Sequence, residues 1–144
     1  MVIKKLLVCA TIGIALTGVA AKGAATTCSI KVNGGAYVAD ITNGKRSYLK
    51  CAACHTLPRG EKHRVGPNLG NMFNRPALGA TGYKYSNSFR TKAPKWNDEN
   101  LDDFLAKPSR FTPGTKMVFS GLSSQQERVN LIGYLKSATG SGGC

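Results

Sequence analysis

Acidic residues are scarce in this chain of 144 residues: seven Asp and Glu stand against 20 Lys and Arg, a net charge of +13. Such a surplus indicates acidic partners, an anionic membrane surface or nucleic acid. The sequence contains no nucleic-acid-binding motif, which argues against the last of these. It also lacks a repeat of fixed period, which excludes a solenoid. The apolar content of 42% excludes a disordered tail.

Long hydrophobic runs are also lacking. The longest uncharged apolar run covers residues 6–21, shorter than the roughly 20 residues that a membrane-spanning helix needs. It follows Lys4 and Lys5 and ends in small residues, which is typical of a secretory signal peptide cleaved after Ala21 or elsewhere within 20–25. An uncleaved membrane anchor is the alternative. Cleavage predicts export to an oxidising compartment, most simply a bacterial periplasm.

The five cysteines are too few for a disulfide-dense scaffold, but two of them form a specific motif. Cys51-Ala52-Ala53-Cys54-His55 is C-x-x-C-H, the attachment sequence of c-type haem. Two thiols at this spacing reach the two vinyl groups of one haem, and His55 then lies under the iron as its proximal ligand. A zinc site would need a second pair of ligands. A thioredoxin-like pair would need a βαβ pattern, and the sequence shows almost no strand signal.

The sixth ligand of the iron has few candidates. Besides the start residue, the methionines are Met72 and Met117. Met117 is predicted as the ligand, because the long separation from His55 lets the chain return on the other face of the haem, and Met72 is predicted to pack. His63 is a rival nitrogen ligand. It follows His55 too closely to pass around the macrocycle easily, and we interpret it as a structural histidine bonded to backbone.

From Gly44 to Ala138 the chain resembles mitochondrial cytochrome c and its bacterial class I relatives. The resemblance implies a mostly α class I cytochrome c fold, with short helices wrapped around one covalently bound haem c. The matching stretches come in the family's order and spacing: Lys50–Thr56, Gly66–Leu69, Gly82–Ser86, Trp96, Pro113–Phe119 and Leu131–Lys136.

The resemblance also implies roles for individual residues. The carbonyl of Pro67 would accept a hydrogen bond from the ring of His55, which fixes its tautomer. The haem propionates would be bound by Arg75, Tyr85 and Trp96. The predicted haem-binding residues are therefore Cys51, Cys54, Pro67, Arg75, Tyr85, Trp96, Thr115 (near a propionate) and Phe119 (shielding the haem edge), and the metal ligands are His55 and Met117.

Three departures from the family pattern bear on these expectations. Phe104 stands where the family has a Tyr that donates to the Met sulfur, and Phe89 stands where an Asn lies near a buried water. We expect a drier Met side with Met117 ligation retained, but the lost donor leaves a peroxidase-like haem enzyme or gas sensor with a labile sixth ligand as the alternative. Gly44 precedes Cys51 by one residue fewer than usual. Either the first helix is rotated or the register is absorbed near the cysteines.

The function so implied is a soluble, periplasmic, monomeric one-electron carrier of a respiratory chain, not an enzyme. Its partners would be acidic redox proteins such as a cytochrome bc complex, a terminal oxidase or a reductase, with no nucleic acid. Membrane contact would come only through partners or an uncleaved signal segment. In the family a ring of lysines around the haem edge steers such partners. The matching positions are Lys50, Lys62, Arg64, Arg110 and Lys116.

The chain divides into a signal peptide (1–21), an N-terminal extension (22–40), a cytochrome c domain (41–139) and a flexible tail (140–144). Cys28 and Cys144 lie outside the domain. Because the family's first and last helices pack together, the resemblance allows an intramolecular disulfide. An intermolecular disulfide and free thiols stay open.

Four helical segments are predicted from periodicity and capping signals. A helix over 41–50 would begin at Thr42 or Asn43, and a brief turn would cover 72–75. A helix over 98–107 would be capped by Asn97 and ended by Pro108. A capping box at 123–126, begun by Ser123, would open a helix to about residue 139.

Overall fold

The computed structural model describes residues 26–87, 95–140 and 144. The predicted signal segment and Phe89 lie outside these residues. Among these residues, a β-hairpin is followed by four α-helices and one 3-10 turn. The elements are β1 (Thr27–Val32), β2 (Gly35–Asp40), α1 (Ile41–Ala52), the 3-10 turn Met72–Asn74, α2 (Asp98–Ala106), α3 (Pro108–Phe111) and α4 (Gln125–Ala138). In the described part of the chain, no helix has the length and apolarity to cross a membrane.

Helices α1 and α4 cross in close contact at Gly44. A Cβ at this position would lie 2.0 Å from the carbonyl oxygen of Asn130 and 2.7 Å from the Cβ of Tyr134, so only glycine permits the approach. One turn further on, Tyr48 packs its ring 5.6 Å from that of Tyr134. Gly44 and Tyr48 therefore both face α4, and the shortened spacing to Cys51 has not rotated α1 away from it.

Two of the three predicted helix starts differ in the structure. The N-cap of α1 is Asp40, whose carboxylate accepts from the backbone N–H of Asn43 at 2.9 Å, and not Thr42 or Asn43. Asp40 can act as the cap because it ends β2 in an extended conformation. The N-cap of α4 is Ser124 and not Ser123.

The prediction for α2 is confirmed at its start. Asn97 caps it in a reciprocal capping box with Asn100. Pro108 follows the end of α2 as predicted, but it also begins α3 as its first residue, where its missing N–H costs nothing. The structure thus has a short helix, Pro108–Phe111, that was not predicted from the sequence.

The hairpin formed by β1 and β2 was not expected from the sequence. Its strands pair antiparallel, and they are joined by Asn33-Gly34 with φ of 51° and 71°. Asn-Gly between alternating apolar residues is a strong short-range hairpin signal that could have found it. The inner face buries three side chains completely or almost so: Ile30, Val32 and Ala39.

The hairpin packs on α4 at Gly133. A Cβ on Gly133 would lie 2.6 Å from the Cβ of Ala39 and 3.2 Å from the Sγ of Cys28. A disulfide joins Cys28 in β1 to Cys144, so of the three expected states the intramolecular bond is the one present. The extension thus forms part of the same hydrophobic core as α2 and α4.

Candidate haem site

One apolar cavity is enclosed by the end of α1, by α2 and α4, and by loops before and after α2. Most of the side chains exposed inside it are apolar, and these belong to segments far apart in the sequence. Every residue predicted to bind haem or iron lines this cavity: Cys51, Cys54, His55, Pro67, Arg75, Tyr85, Trp96, Thr115, Met117 and Phe119.

Other lining residues were not assigned to the site from the sequence. Tyr83 lies in a stretch that matched the family but was given no role. Leucines of α2 and α4 also line the cavity; helical periodicity can mark such positions as a buried face but does not say what covers them. These further residues include Met72, Tyr83, Leu101, Leu105, Leu131 and Leu135.

The C-x-x-C-H motif lies where α1 ends. The backbone N–H groups of Cys54 and His55 both donate to the carbonyl of Cys51, at 3.0 and 2.9 Å, which closes the last turn tightly. Both cysteines are free thiols on the cavity wall. Burial, assisted by the nearby Cys54, raises the pKa of Cys51 to about 11. A thiol so protonated is unlike the low-pKa thiols of disulfide oxidoreductases.

A zinc site finds no support in the described part of the chain. No group of three or more His, Cys, Asp or Glu side chains there is arranged to hold a metal ion. The thiols and His55 instead face an apolar space, which suits a large hydrophobic prosthetic group rather than a compact ion.

His55 is held by one hydrogen bond and one close backbone contact. Its Nδ1 lies 2.8 Å from the carbonyl oxygen of Pro67, so Nδ1–H donates and Nε2 keeps its lone pair. Burial lowers the pKa of His55, while the bond to Pro67 opposes this shift. The imidazole is therefore neutral, as a metal ligand must be. A Cβ on Gly66 would lie 2.3 Å from Cε1 of the ring, so Gly66 leaves the ring its space.

Met117 lies on the cavity wall in a loop bonded at two points. Its backbone N–H donates to Oγ1 of Thr115 at 3.2 Å, and the N–H of Thr115 donates to the carbonyl of Thr112 at 3.1 Å. The ammonium group of Lys116 donates to the carbonyl of Lys84 and lies 4.9 Å from the ring centroid of a tyrosine. Thr115 thus positions the Met117 backbone in addition to its predicted role.

His63 does not point to the iron site. Its Nε2 donates to the carbonyl of Thr81 at 2.9 Å, and its Nδ1 accepts from the backbone N–H of Asn68 at 3.0 Å. Both ring nitrogens are therefore engaged by backbone, as predicted for a structural histidine.

The three predicted propionate ligands lie on the same cavity. The guanidinium of Arg75 donates to the carbonyls of Asn68 at 2.8 Å and Gly70 at 3.3 Å. These bonds use part of its five N–H donors and hold it in place. The hydroxyl of Tyr85 accepts from the backbone N–H of Ala80 at 3.3 Å, and Trp96 is 8% exposed. The wall therefore offers fixed donors beside an otherwise apolar space.

Phe104 makes the neighbouring wall apolar. It is 7% exposed and packs against Trp96 and Phe111, with ring centroids 5.1 and 5.7 Å away. It carries no hydroxyl toward the cavity, and the drier Met side stays a prediction.

These side chains fit a covalently bound haem. The cavity presents two thiols, a neutral imidazole of fixed tautomer, a thioether and an apolar enclosure with donors at one side. The arrangement defines a c-type haem protein.

Comparison with known proteins agrees with this class. The Cytochrome c family model matches residues 41–139. Cytochrome c of Guizotia abyssinica is 46% identical over 101 residues, which are 69% of this chain and 91% of the relative. Cytochrome c of Ginkgo biloba is 46% identical over 90 residues (62% and 80%), and that of Chlamydomonas reinhardtii is 42% identical over 101 residues (69% and 90%).

The chain belongs to the cytochrome c family. It is therefore a monohaem electron-transfer protein of the class I fold, it carries covalently attached haem c, and it is not an enzyme. The β-hairpin precedes the matched residues and is an addition to the family domain.

Proposed function

We propose that this protein is an exported, periplasmic one-electron carrier whose haem iron is bound by His55 and Met117. The observation that carries the proposal is that these two residues, 62 positions apart, line the same apolar cavity. The haem, when bound, supplies a reversible one-electron change of its iron.

The chain's own residues bind and orient the haem. Cys51 and Cys54 hold it through thioether bonds at the end of α1. The Pro67 carbonyl keeps the proton of His55 on Nδ1, so that Nε2 is the coordinating atom. Arg75 offers N–H donors to the propionates, which would otherwise be buried at a large cost.

The Met117 side of the cavity excludes water. Phe104 and Phe119 line it with aromatic surface, and the bond from the Met117 backbone N–H to Thr115 fixes the loop beside the cavity. With His55 and Met117 both bound, the haem would supply electron transfer with little change of structure, and these side chains would keep oxygen and peroxide away from the iron.

Replacing each cavity methionine by leucine tests this assignment. Met117→Leu and Met72→Leu make the same chemical change on the same cavity. We expect Met117→Leu to abolish the near-infrared band that thioether ligation gives ferric haem and to let the ferrous protein bind carbon monoxide. Met72→Leu should retain the band and stay closed to carbon monoxide. A band lost only in Met72→Leu, or absent from the wild type, would refute the assignment and favour an open iron site.

The exported location is supported by the signal-like pattern of residues 1–21 and by the disulfide between Cys28 and Cys144, since disulfides persist in oxidising compartments. Expression in a bacterium with a haem-attachment system, followed by fractionation and mass spectrometry, tests it. We expect periplasmic protein whose N-terminus results from cleavage after a residue within 20–25. An intact Met1 in the membrane fraction would instead show an uncleaved anchor.

Acidic redox proteins, such as a cytochrome bc complex, a terminal oxidase or a reductase of a respiratory chain, are the proposed partners of the monomer. The cavity rim supports this, because exposed Val65 and Val118 lie on it together with Lys50 and Lys116. An apolar contact bordered by positive charge fits a transient partner of opposite charge.

A further inference from the structure

Arg128 is a cation buried between α4 and α2. It is 7% exposed and its partner Asp102 is 3% exposed. Nε donates to Oδ1 at 2.8 Å and Nη2 donates to Oδ2 at 3.2 Å, a bidentate pair. Such a pair is weak evidence for stabilisation, because the cost of desolvating both charges opposes their attraction. Its position suggests a different use.

The remaining edge of the guanidinium holds the backbone that follows Met117. Nη1 donates to the carbonyls of Leu122 at 2.8 Å and Ser123 at 3.0 Å. The backbone N–H of Leu122 donates in turn to the carbonyl of Leu105 at 2.8 Å. The chain is therefore bonded on both sides at the point where it leaves the Met117 loop.

The Met117 loop depends on this anchor. Residues 117–121 have neither helix nor strand structure. Gly121, with φ of +99°, passes so close to α2 that a Cβ would lie 2.1 Å from the carbonyl oxygen of Ala106. On the N-terminal side, Met117 is held by Thr115. On the C-terminal side, the chain is held by the contacts of Gly121, Leu122 and Ser123.

We propose that Arg128, backed by Asp102, is a positioning residue for Met117. Its two bonds to the Leu122 and Ser123 carbonyls hold the returning chain and so keep the thioether directed into the cavity. The proposal rests on the proposed function, since it takes Met117 as the sixth ligand. It requires that loss of these bonds weaken the binding of Met117 to the iron beyond what a general loss of domain stability would cause.

Three variants of the haem-loaded protein separate positioning from stability. Asp102→Leu combined with Arg128→Met replaces the ion pair by apolar side chains, an exchange that is often neutral for folding. Arg128→Lys retains the charge but loses the planar fork. Ile30→Val, at a fully buried hairpin position away from the loop, is the control for general destabilisation.

The measurements are imidazole binding to the ferric protein, the pH at which the near-infrared band disappears, and the thermal midpoint. Imidazole competes with Met117 for the iron. We expect its Kd to fall about tenfold or more in both Arg128 variants, as for the loss of one charge-assisted hydrogen bond. As the pH is raised, the near-infrared band should disappear at a lower pH in these variants than in the wild type. Ile30→Val should keep the wild-type Kd and band even if its thermal midpoint falls.

Wild-type imidazole affinity in either Arg128 variant that folds would overturn the positioning role while leaving Met117 ligation intact. An equal gain of imidazole affinity in Ile30→Val would also overturn it, because general destabilisation would then explain the effect. A wild-type protein without the near-infrared band would overturn both the positioning role and the proposed ligand.

Discussion

At the scale of single residues, the site depends on close contacts that glycine and proline permit. Gly66 lies against the His55 ring, and the backbone carbonyl of Pro67 accepts a hydrogen bond from Nδ1–H of that ring. These contacts fix the orientation of the His55 ring, the predicted proximal ligand, and they do so independently of Met117. A change of one methyl group at this point should therefore alter the spectrum as well as the stability.

We expect Gly66→Ala to displace the His55 ring, because the added Cβ would overlap Cε1. The midpoint potential and the electron paramagnetic resonance spectrum of the ferric haem should change. Gly60→Ala is the matched control: its φ of +84° makes alanine strained, but its Cβ would meet nothing within 4 Å. The control should lose about 1–2 kcal/mol of stability and keep the wild-type haem signals. Identical signals in both variants would contradict the contact.

Tyr48 links α1 to the haem motif, since its hydroxyl donates to the carbonyl of His55 at 2.9 Å. Burial raises the pKa of Tyr48 to about 12. The fold thus favours the neutral phenol, and this contribution is present below the unfolded pKa of 10.0 and is lost as the pH rises toward about 12.

Tyr48→Phe should lower the free energy of unfolding at neutral pH by about 1 kcal/mol, the usual loss for one hydrogen bond. The gap between wild type and variant should narrow between pH 10 and about 12. Guanidinium unfolding of the ferrous protein across that range measures it. A gap that stays constant with pH would show that Tyr48 does not titrate as described.

At the scale of elements, the hairpin is protected along both edges by polar groups of other elements. Asp98 and Glu99 of α2 accept from the β1 backbone N–H groups of Lys31 and, just beyond the strand, Asn33. Asn130 of α4 accepts from the N–H of Asp40 in β2. These bonds satisfy three N–H groups in or next to the strands, so fewer remain free to pair with another chain.

The disulfide between Cys28 and Cys144 closes 116 residues of sequence. Replacing both cysteines by serine should lower the free energy of unfolding by about 4–5 kcal/mol, as the chain-entropy model gives for a loop of this length. Neither cysteine lines the haem cavity, so the near-infrared band should be unchanged. Denaturant unfolding with and without a thiol reductant checks both points. Equal stability of variant and wild type would show that the closed loop contributes little.

Element boundaries show where sequence reasoning succeeds and fails. Asn97 was predicted as a cap because it is a favoured cap residue directly followed by two acidic residues, a purely local signal. Asp40 was missed because its capping role requires β2, and β2 was not expected. Ser123 was predicted as the cap from its capping-box spacing to a glutamine three residues later, although Ser124 is followed by a glutamate at the same spacing. In the structure the Ser123 carbonyl is bonded to Arg128, and the next serine caps the helix.

At the scale of the whole molecule, the haem cavity occupies the centre of the helical domain, where most small proteins have packed hydrophobic side chains. The described helices are short, so they bury limited surface without the haem. We expect protein with Cys51→Ala and Cys54→Ala, which binds no haem covalently, to lose most of its far-ultraviolet circular dichroism. Retention of the native helical signal and a cooperative thermal transition would contradict this. The haem-bound wild-type protein, measured under the same conditions, is the control.

The acidic residues are concentrated on one helix, and several of the cations predicted to surround the haem edge are bonded within the chain. Four of the seven acidic residues lie on α2, and three of the five predicted ring cations have bonds within the chain. Lys50 pairs with Glu127 at 2.6 Å and, by that bond, lowers the pKa of Glu127. Lys50 nevertheless stays half exposed at the cavity rim, where it can still act on an approaching partner.

Removing this charge tests electrostatic steering. Lys50→Gln should slow reaction with a purified cytochrome bc complex about twofold to fivefold at low salt, and the difference should vanish at high salt. Lys31→Gln removes one charge from β1, away from the cavity, and should have a smaller effect. Stopped-flow kinetics against ionic strength measures both. Equal effects would mean that net charge, and not the rim, governs the encounter.

The sequence by itself determined the haem-attachment motif and the order of the family motifs, and it predicted His55 as the proximal ligand. The reason is that Cys51, Cys54 and His55 act through a spacing of a few residues, which any local backbone preserves. Only the tertiary structure decided the docking of the hairpin, the Cys28–Cys144 bond and the Arg128 contacts with the Met117 loop. Those contacts join residues far apart in the sequence, so they depend on the path of the folded chain and leave no periodic or local pattern.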